Sequence, residues 1–208
     1  MRKVKNYIID TENSAVRLPI CLCLSVNNPV YVNKISRGIK LFYETIRKDE
    51  FVSYSVETSI VAPNGKNAYC VADFDIVDRQ GNPALQAGRT TSLGDEVNLA
   101  LDLVNKRIEE YKNVGIDYHR PWLVLLADNT PCENLSELRA ISRMASMVNN
   151  KKLTVFPVGI GKKAGMDILK QLSPARQPLK LQEQKFKEFF MWLSESASRV
   201  SWHMQTAS

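Results

Sequence analysis

The sequence lacks a long apolar run. None of its hydrophobic stretches approaches the roughly 18 residues that a transmembrane helix needs. The first ten residues include basic side chains, but they hold only a short apolar patch and no small-residue cleavage site, so they do not resemble a signal peptide. From these absences we expect a cytoplasmic protein with no membrane partner.

Cysteine and histidine are also scarce, with 4 and 2 residues among 208. The cysteines form no C-x-x-C pair and no cluster with histidine, which argues against a zinc site. We expect all four thiols to be free, as in a reducing compartment. Neither His119 nor His203 has a serine or cysteine partner nearby in sequence, and no Walker A motif is present, so we predict that the protein is not an enzyme.

Acidic residues are few in one region of this basic chain, whose formal net charge is +6. Residues 151–187 hold nine Lys or Arg and only two acidic residues. Such a region can attract an anion, a nucleic acid or an acidic protein. No aromatic residues alternate with these lysines as a base-stacking platform would require, which disfavours nucleic acid and favours a solvated face. Anion or nucleic-acid binding through 151–187 is kept as an alternative function.

What the sequence does contain is an uncharged run at Leu18–Pro29, which reads LPICLCLSVNNP. A continuous apolar run is typical of a strand covered on both faces, hence of a central strand in a parallel sheet. Ligands of open α/β sheets bind just beyond the carboxyl ends of such strands. We therefore take Ser25, Asn27 and Asn28 as candidate binding residues.

The remaining pattern alternates strands with amphipathic helices. The predicted strands are Leu18–Leu24, Phe51–Val61, Ala68–Ile76, Pro121–Ala127, Leu153–Ile160 and Pro178–Leu181. The first predicted helix ends near Lys48 and turns Val32, Ile35, Ile39, Phe42 and Ile46 toward the core. The helices predicted after it are Leu93–Lys112, Asn134–Asn149, a short one through Leu172, and Gln184–Val200. The helix Asn134–Asn149 is expected to turn Leu135, Leu138, Ile141, Ala145 and Val148 toward the core.

These elements predict an α/β fold that is Rossmann-like and doubly wound. Its central sheet is mainly parallel with one antiparallel strand, contributed by a hairpin at PNGKN, and helices cover both faces. We expect a single domain over residues 18–200, an N-terminal extension over 1–17, and a frayed C-terminal tail over 201–208.

Five motifs occur in order along the chain: RLPICLCLSVNNPV, NKISRGIKLFYETIRKDE, RTTSLGDEVNLAL, WLVLLADNTP and FPVGIG. Together they resemble the von Willebrand factor type A (vWA) domain over residues 18–200, and in particular its TerY-like branch, which is associated with tellurite resistance.

This resemblance implies a metal-ion-dependent adhesion site, in which D-x-S-x-S, a threonine and an aspartate bind a divalent cation. Thr91 and Asp128 match the threonine and the last aspartate. In the first loop, however, Ser25, Asn27 and Pro29 replace the aspartate and the two serines. Loss of a carboxylate and of a ligand weakens a magnesium site by orders of magnitude. We predict a degenerate site with no cofactor, and keep weak Mg²⁺ binding by Ser25, Asn27, Thr91 and Asp128 as an alternative.

The same residues also have ordinary structural roles. Ser92 and Asp95 have the spacing of a capping box for the helix that begins at Leu93. Asp128 could equally accept backbone N–H groups in a turn after its strand.

The function that these observations predict is a non-enzymatic protein-interaction module. It would dock a partner through the loops at residues 25–32, 79–92, 128–133 and 161–165, with Ser25, Asn27, Asn28, Thr91 and Asp128 as candidate contacts. The TerY-like resemblance implies a phosphatase or kinase-like partner in a stress-response or defence system. The sequence does not set the oligomeric state.

Overall fold

The computed structural model describes residues 15–65, 67–87, 92–128 and 134–206. Residues 1–14 of the predicted N-terminal extension, Thr91 and Cys132 lie outside these ranges. The strands are β1 (Leu18–Ser25), β2 (Val56–Asn64), β3 (Asn67–Ile76), β4 (Trp122–Ala127), β5 (Thr154–Ile160) and β6 (Leu179–Leu181). The helices are α1 (Pro29–Ile46), α2 (Glu50–Ser55), α3 (Leu93–Val114), α4 (Leu135–Asn149), α5 (Met166–Leu172) and α6 (Phe186–Thr206).

The strands form one sheet in the order β3-β2-β1-β4-β5-β6. β1 lies between β2 and β4 and is parallel to both, β4 is parallel to β5, and β5 is parallel to β6. β3 is antiparallel to β2. The predicted fold class, a mainly parallel doubly wound sheet with one antiparallel strand, is confirmed.

β1 is buried on both faces, which is why its sequence does not alternate. Leu18, Ile20 and Leu22 belong to the core that α1 and α6 cover. Cys21 and Cys23 point to the other face, into the core that α3, α4 and α5 cover. Helices thus lie on both faces of the sheet, as predicted.

The first helix forms where the periodicity places it. Asn28 is its N-cap and Pro29 occupies its first turn, where a missing N–H costs nothing. All of the predicted inward residues are buried: Val32, Ile35, Ile39, Phe42 and Ile46. Gly38 allows α6 to approach, since a Cβ there would lie 2.0 Å from Cδ2 of Phe190.

The strand predicted over Phe51–Val61 is wrong in its first part, because residues 50–55 form α2. The Asp49 side chain accepts a hydrogen bond from the Val52 N–H at 3.1 Å and caps this helix. The Ser53 and Ser55 hydroxyls donate to carbonyl oxygens of the preceding turn. The Val and Tyr residues favoured a strand here through their β propensity. That preference is outweighed by the N-cap and by packing against α6.

The last helix is longer than predicted. It does not end near Val200 but continues to Thr206, so the expected frayed tail from residue 201 is wrong for the described part. Ser201 is buried, and the Trp202 ring packs 5.0 Å from that of Phe51. The indole N–H of Trp202 also donates to Asp49 Oδ2 at 2.9 Å. Contacts with α2 hold this final turn in place.

The predicted inner face of α4 is confirmed for Ile141 and Val148, which pack against the core, but it is wrong for Leu135 and Leu138. Leu135 and Leu138 are 85% and 63% exposed, and the buried residues of the helix are Glu137, Ala140 and Met144. The cause is the close approach of α3: a Cβ at Gly94 would lie 2.4 Å from the backbone nitrogen of Glu137. This contact turns the face that carries Glu137, Ala140 and Met144 inward.

A buried charged cluster joins the start of the described chain to the sheet. Arg17, at the end of the predicted N-terminal extension, is fully buried and its side chain donates to the carbonyl oxygen of Tyr54. Glu57 Oε2 accepts hydrogen bonds from Arg107 Nε at 2.6 Å and from the Tyr111 hydroxyl at 2.7 Å. Burial and the Glu57 charge raise the pKa of Tyr111, so its hydroxyl stays protonated as a donor.

Candidate functional site

The first and third predicted site loops meet at the carboxyl edge of the sheet. β1 and β4 are neighbours, with Ser25 opposite Ala127, and the Asp128 N–H donates to the Ser25 carbonyl oxygen at 3.2 Å. The structure therefore brings Ser25, Asn27, Asn28 and Asp128 together. Thr91, the remaining predicted residue, lies outside the described ranges.

The Asp128 carboxylate is the buried centre of this arrangement, with 5% of the residue exposed. The Asn27 N–H lies 3.2 Å from Oδ1 and 3.1 Å from Oδ2, and the Asn28 N–H donates to Oδ2 at 2.9 Å. The N-terminus of α1, just beyond, also favours a negative charge here. Asp128 thus fastens the loop after β1 to the end of β4.

Asn28 has a second local role. Its side-chain oxygen accepts a hydrogen bond from the Val30 N–H at 2.9 Å and caps α1. Pro29, which follows, has neither a side-chain ligand nor an N–H. The two residues together start the helix, and this accounts for the turn chemistry of the NNP sequence.

The second predicted loop is described only from Ser92 onward. Ser92 makes no side-chain cap on α3, so the expected capping box with Asp95 is wrong. Its hydroxyl instead donates to Glu137 Oε1 at 2.8 Å, and the Gly94 N–H lies 3.3 Å from the same oxygen. A carboxylate from α4 therefore caps α3 across the helix–helix contact.

Beyond Asp128 a cavity of about 870 Å³ opens between the ends of β1, β4, β5 and β6. We call it the carboxyl-edge cleft. Its lining residues are Asn27, Asn28, Pro29, Tyr31, Asp128, Ile160, Gly161, Lys162, Lys163, Lys180, Leu181, Gln182 and Glu183. Its size lies within the range of ligand-binding clefts, roughly 300–1,000 Å³.

One wall of the carboxyl-edge cleft is braced by Tyr31. Its hydroxyl donates to Glu183 Oε1 at 2.8 Å, which lowers the pKa of Glu183 and raises the pKa of Tyr31. Lys34 adds a hydrogen bond to the Glu183 carbonyl oxygen at 3.0 Å. Gly161 has φ of +74°, and a Cβ there would lie 2.7 Å from the Tyr31 hydroxyl oxygen. Glycine at this position allows both the positive φ of the backbone and the close approach of the Tyr31 ring.

The opposite rim is basic. Lys162, Lys163 and Lys180 are exposed and line the carboxyl-edge cleft, so part of the basic region at 151–187 borders the predicted site. Lys162 and Lys163 lie in the loop 161–165 that the sequence analysis assigned to the docking surface, whereas Lys180 lies outside the predicted loops. Tyr31 lies in the predicted loop 25–32, but its bond to Glu183 was not predicted, because the two residues lie 152 positions apart and only the fold joins them.

The described donors do not fit a magnesium ion. Ser25 and Asn27 are neutral, Pro29 offers no ligand, and the one carboxylate already accepts backbone N–H groups from two residues. No cluster of three or more His, Cys, Asp or Glu suited to a metal occurs within the described ranges. Mg²⁺ usually requires one or two carboxylates in a near-octahedral shell, and here the single carboxylate is used by the loop itself.

Comparison with known proteins places the fold. No family model matches the sequence, and no curated protein matches it. Among solved structures, a von Willebrand factor type A protein from Catenulispora acidiphila superimposes with TM-score 0.62 and 16% identity over 89% of this chain and 43% of that one. The vWF domain of a type V pilus tip protein from Porphyromonas gingivalis gives TM-score 0.62 and 9% identity over 89% of this chain and 96% of that domain.

A third match is proximal thread matrix protein 1 from the mussel byssus, in a structure whose adhesion-site motif holds zinc. Its TM-score is 0.55 and its identity 12%, over 87% of this chain and 48% of that one. This chain thus spans about half or less of the mussel and Catenulispora chains. The mainly parallel sheet with its one antiparallel strand is the vWA fold. Within the described ranges, no helix combines the length and apolar character needed to cross a bilayer.

Proposed function

We propose that this protein is a non-enzymatic interaction module of the vWA fold, which docks a protein partner at the carboxyl-edge cleft without a divalent metal. The observation that carries the proposal is the bonding of Asp128. Its carboxylate accepts hydrogen bonds from the Asn27 and Asn28 N–H groups, which supports a role in shaping the loop over a role in holding a metal.

Structurally similar proteins support an interaction role. Two of them, which share this fold, are a pilus adhesin and a pilus tip protein. The motifs shared with the TerY-like branch extend the proposal to a phosphatase or kinase-like partner, in a stress-response or defence system of the cytoplasm.

The positions of the histidines favour binding over catalysis. His119 precedes β4, whereas Asp128 follows it, so the six-residue strand separates them by about 20 Å. The His119 ring contacts only the neighbouring Arg120 carbonyl among the hydrogen bonds described. The carboxyl-edge cleft therefore has two carboxylates, Asp128 and Glu183, and three lysines, but no histidine to act as a general base among its described lining residues.

Affinity capture from native lysate tests this function. The tagged protein is compared with a Lys162→Glu/Lys163→Glu variant, with and without EDTA. The matched control is Lys151→Glu/Lys152→Glu, which reverses the same charge on exposed lysines that do not line the cleft. We expect the wild type and the control to retain one specific partner in EDTA and the cleft variant to lose it. Capture that needs a divalent metal, or that survives the cleft variant, would contradict the proposal.

A second candidate function is anion binding, which the three lysines around the carboxyl-edge cleft favour. Titration with a single-stranded oligonucleotide and with inorganic phosphate, at several salt concentrations, tests it. Phosphate contacts predict an affinity that falls steeply with salt for the wild type and that is weakened in the Lys162→Glu/Lys163→Glu variant. Absence of binding at low salt would dismiss this function.

A further inference from the structure

A second concave surface lies on the outer side of the sheet, between α6 and the β5–β6 edge. Its volume is about 620 Å³. Phe156 and Val158 of β5 form its floor, while Trp192 of α6 and Leu179 of β6 form its walls. We call it the aromatic groove. It meets the carboxyl-edge cleft only at residues 180–182.

The aromatic groove exposes large apolar side chains. Trp192 is 40% exposed and Leu179 is 49% exposed. The Trp192 ring lies 5.7 Å from Phe156 and 5.9 Å from Phe189, both of which are buried. Contacts with these two rings hold the indole in a fixed position. A partner side chain placed between Trp192 and Leu179 would remove apolar surface from water at little cost in conformational entropy.

The rim of the aromatic groove is positively charged. The Arg176 guanidinium carbon lies 4.6 Å from the centre of the Phe156 ring. This cation–π contact keeps the guanidinium at the rim of the groove. Lys180 lies nearby on β6. The one acidic lining residue, Glu188, is paired with Lys185 at 3.4 Å. Within the described ranges, no carboxylate forms an ion pair with Arg176 or Lys180, so the rim has an uncompensated positive charge.

The groove is open along the edge of the sheet. β6 pairs only with Val158–Ile160, and it is the last strand of the sheet. The first half of β5, residues 154–157, has no described strand on that side. An elongated chain can therefore lie along the groove and continue past it, which suits a peptide segment better than an enclosed small molecule.

We propose that the aromatic groove docks an acidic amphipathic segment of a partner protein. An aliphatic or aromatic side chain of that segment packs between Trp192 and Leu179, and its carboxylates pair with Arg176 and Lys180. This surface is distinct from the carboxyl-edge cleft, so the inference goes beyond the proposed function and does not depend on it.

The concave shape favours a peptide over the two other occupants with related chemistry. A flat anionic membrane would contact the basic rim but could not reach the floor at Phe156, which is 9% exposed. A second copy of this chain would bring a basic protein against a basic rim, because the chain has a net charge of +6. An acidic segment satisfies both the apolar floor and the charged rim.

A short fluorescent peptide in which Asp and Glu alternate with Leu and Phe serves as the probe, and its twin has Lys in place of every acid. The full-length protein is titrated with each peptide. We expect saturable binding of the acidic peptide and at least about tenfold weaker binding of the basic twin. Arg176→Glu and Trp192→Ala should each weaken the acidic peptide by about tenfold or more.

Matched controls separate docking from folding. Lys170→Glu reverses an exposed charge on α5, and Met191→Ala truncates an exposed apolar residue of α6 that does not line the groove. Both controls should bind the acidic peptide as the wild type does, and all four variants should keep the wild-type far-UV circular dichroism spectrum. The Lys162→Glu/Lys163→Glu variant should also bind normally, which distinguishes this surface from the carboxyl-edge cleft.

Equal affinity for the two peptides would overturn the proposal, and so would normal binding by folded Arg176→Glu and Trp192→Ala proteins. Binding of vesicles of phosphatidylserine and phosphatidylcholine without binding of the peptide would identify a membrane as the occupant instead. A dimer in light scattering that Trp192→Ala abolishes would identify a second copy of the chain as the occupant.

Discussion

The backbone N–H of Asn28 donates a 2.9 Å hydrogen bond to the Asp128 carboxylate, across the boundary between β1 and β4. The Asn27 N–H joins the same carboxylate at 3.1 Å. These bonds connect residues about one hundred positions apart in sequence and hold the loop after β1 at the edge of the carboxyl-edge cleft. A single carboxylate thereby fixes the position of this loop through hydrogen bonds with two backbone N–H groups.

Replacing Asp128 should destabilise the fold through that loop. Asp128→Ala leaves two backbone donors without their acceptor, and we expect it to lower the free energy of unfolding by about 2–3 kcal/mol. Asp128→Asn keeps one acceptor oxygen and should cost less, about 1 kcal/mol. Urea unfolding measures both. Asp78→Ala, at an exposed acidic residue in a turn, is the control and should change stability by less than about 0.5 kcal/mol. Equal effects at Asp78 and Asp128 would contradict this role.

Millimolar Mg²⁺ or Mn²⁺ should leave the melting temperature of the wild type unchanged. The reason is that Ser25, Asn27 and Pro29 supply no charged ligand beside Asp128. A Ser25→Asp/Asn27→Ser/Pro29→Ser variant restores the D-x-S-x-S pattern, and its melting temperature should rise with Mg²⁺. Metal at 100 times its Kd would add about 2.7 kcal/mol. A metal-dependent shift in the wild type would favour the alternative of a weak functional site.

The contribution of Tyr31 to stability should depend on pH through Glu183. The pKa of Glu183 is lowered by the Tyr31 hydroxyl, so this stabilisation is present above the ordinary pKa of a glutamate and is lost as pH falls through the lowered value. The raised pKa of Tyr31 means that it is also lost at strongly alkaline pH. Thermal melts should show Tyr31→Phe less stable than wild type at pH 7, with a difference that shrinks as the pH is lowered and Glu183 becomes protonated. A difference that stays constant across the acid range would refute the linkage.

Gly161→Ala should be destabilising for two separable reasons. Its φ of +74° strains an L-residue, and the new methyl group would lie within 2.7 Å of the Tyr31 hydroxyl oxygen. We expect a loss of about 1–2 kcal/mol in chemical denaturation. In the Tyr31→Ala background the methyl group meets no hydroxyl. Gly161→Ala should then lower the free energy of unfolding only by the amount that the backbone strain accounts for. Full additivity of the two substitutions would mean that the ring and the glycine do not interact.

The buried Glu57 should be far more sensitive to truncation than a surface carboxylate. Glu57→Ala removes the acceptor for Arg107 and Tyr111 and leaves the buried Arg107 guanidinium with only the partly exposed Glu110 as a counter-charge. The expected cost is about 3–5 kcal/mol in urea unfolding. Glu44→Ala breaks only the exposed pair with Lys40 and should cost at most about 0.5 kcal/mol. Similar losses at the two positions would show that the buried cluster is not a stabilising element.

The thiols of β1 should resist alkylation in the folded protein. Burial raises the pKa of Cys21 to about 12 and raises that of Cys23 as well, so neither forms a thiolate at neutral pH. Burial raises the pKa of the half-buried Cys70 to about 11. Mass spectrometry after treatment with iodoacetamide should find Cys21 and Cys23 modified only in denaturant. Rapid native modification of either residue would contradict the close packing of β1.

Local patterns predicted the parts of the fold that depend on one strong signal. The continuous apolar run at Leu18–Leu24 is enough to specify a strand covered on both faces, and it is found at the centre of the sheet. The i, i+3, i+4 spacing from Val32 to Ile46 likewise specified α1 and its buried face. In these segments the hydrophobic period and the tertiary environment agree.

The errors fall where a tertiary contact outweighs a local pattern. Leu135 and Leu138 have the spacing of a core face, yet the absence of a Cβ at Gly94 lets α4 approach through Glu137 and Ala140. Ser92 has the residue type of an N-cap, yet Glu137 from another helix caps α3. Neither outcome is encoded in the neighbouring residues.

The sequence by itself determined the succession of strands and helices apart from α2, and the central position of Leu18–Leu24. These properties follow from hydrophobic period and turn chemistry. Only the tertiary structure decided that Asp128 is bonded to the Asn27 and Asn28 amides, that Lys162 and Lys163 border the same cleft, and that Trp192 lines a groove beside Arg176. The reason is physical: each of these relationships joins residues that are distant in sequence, and their distance in space is set by the packing of the whole sheet.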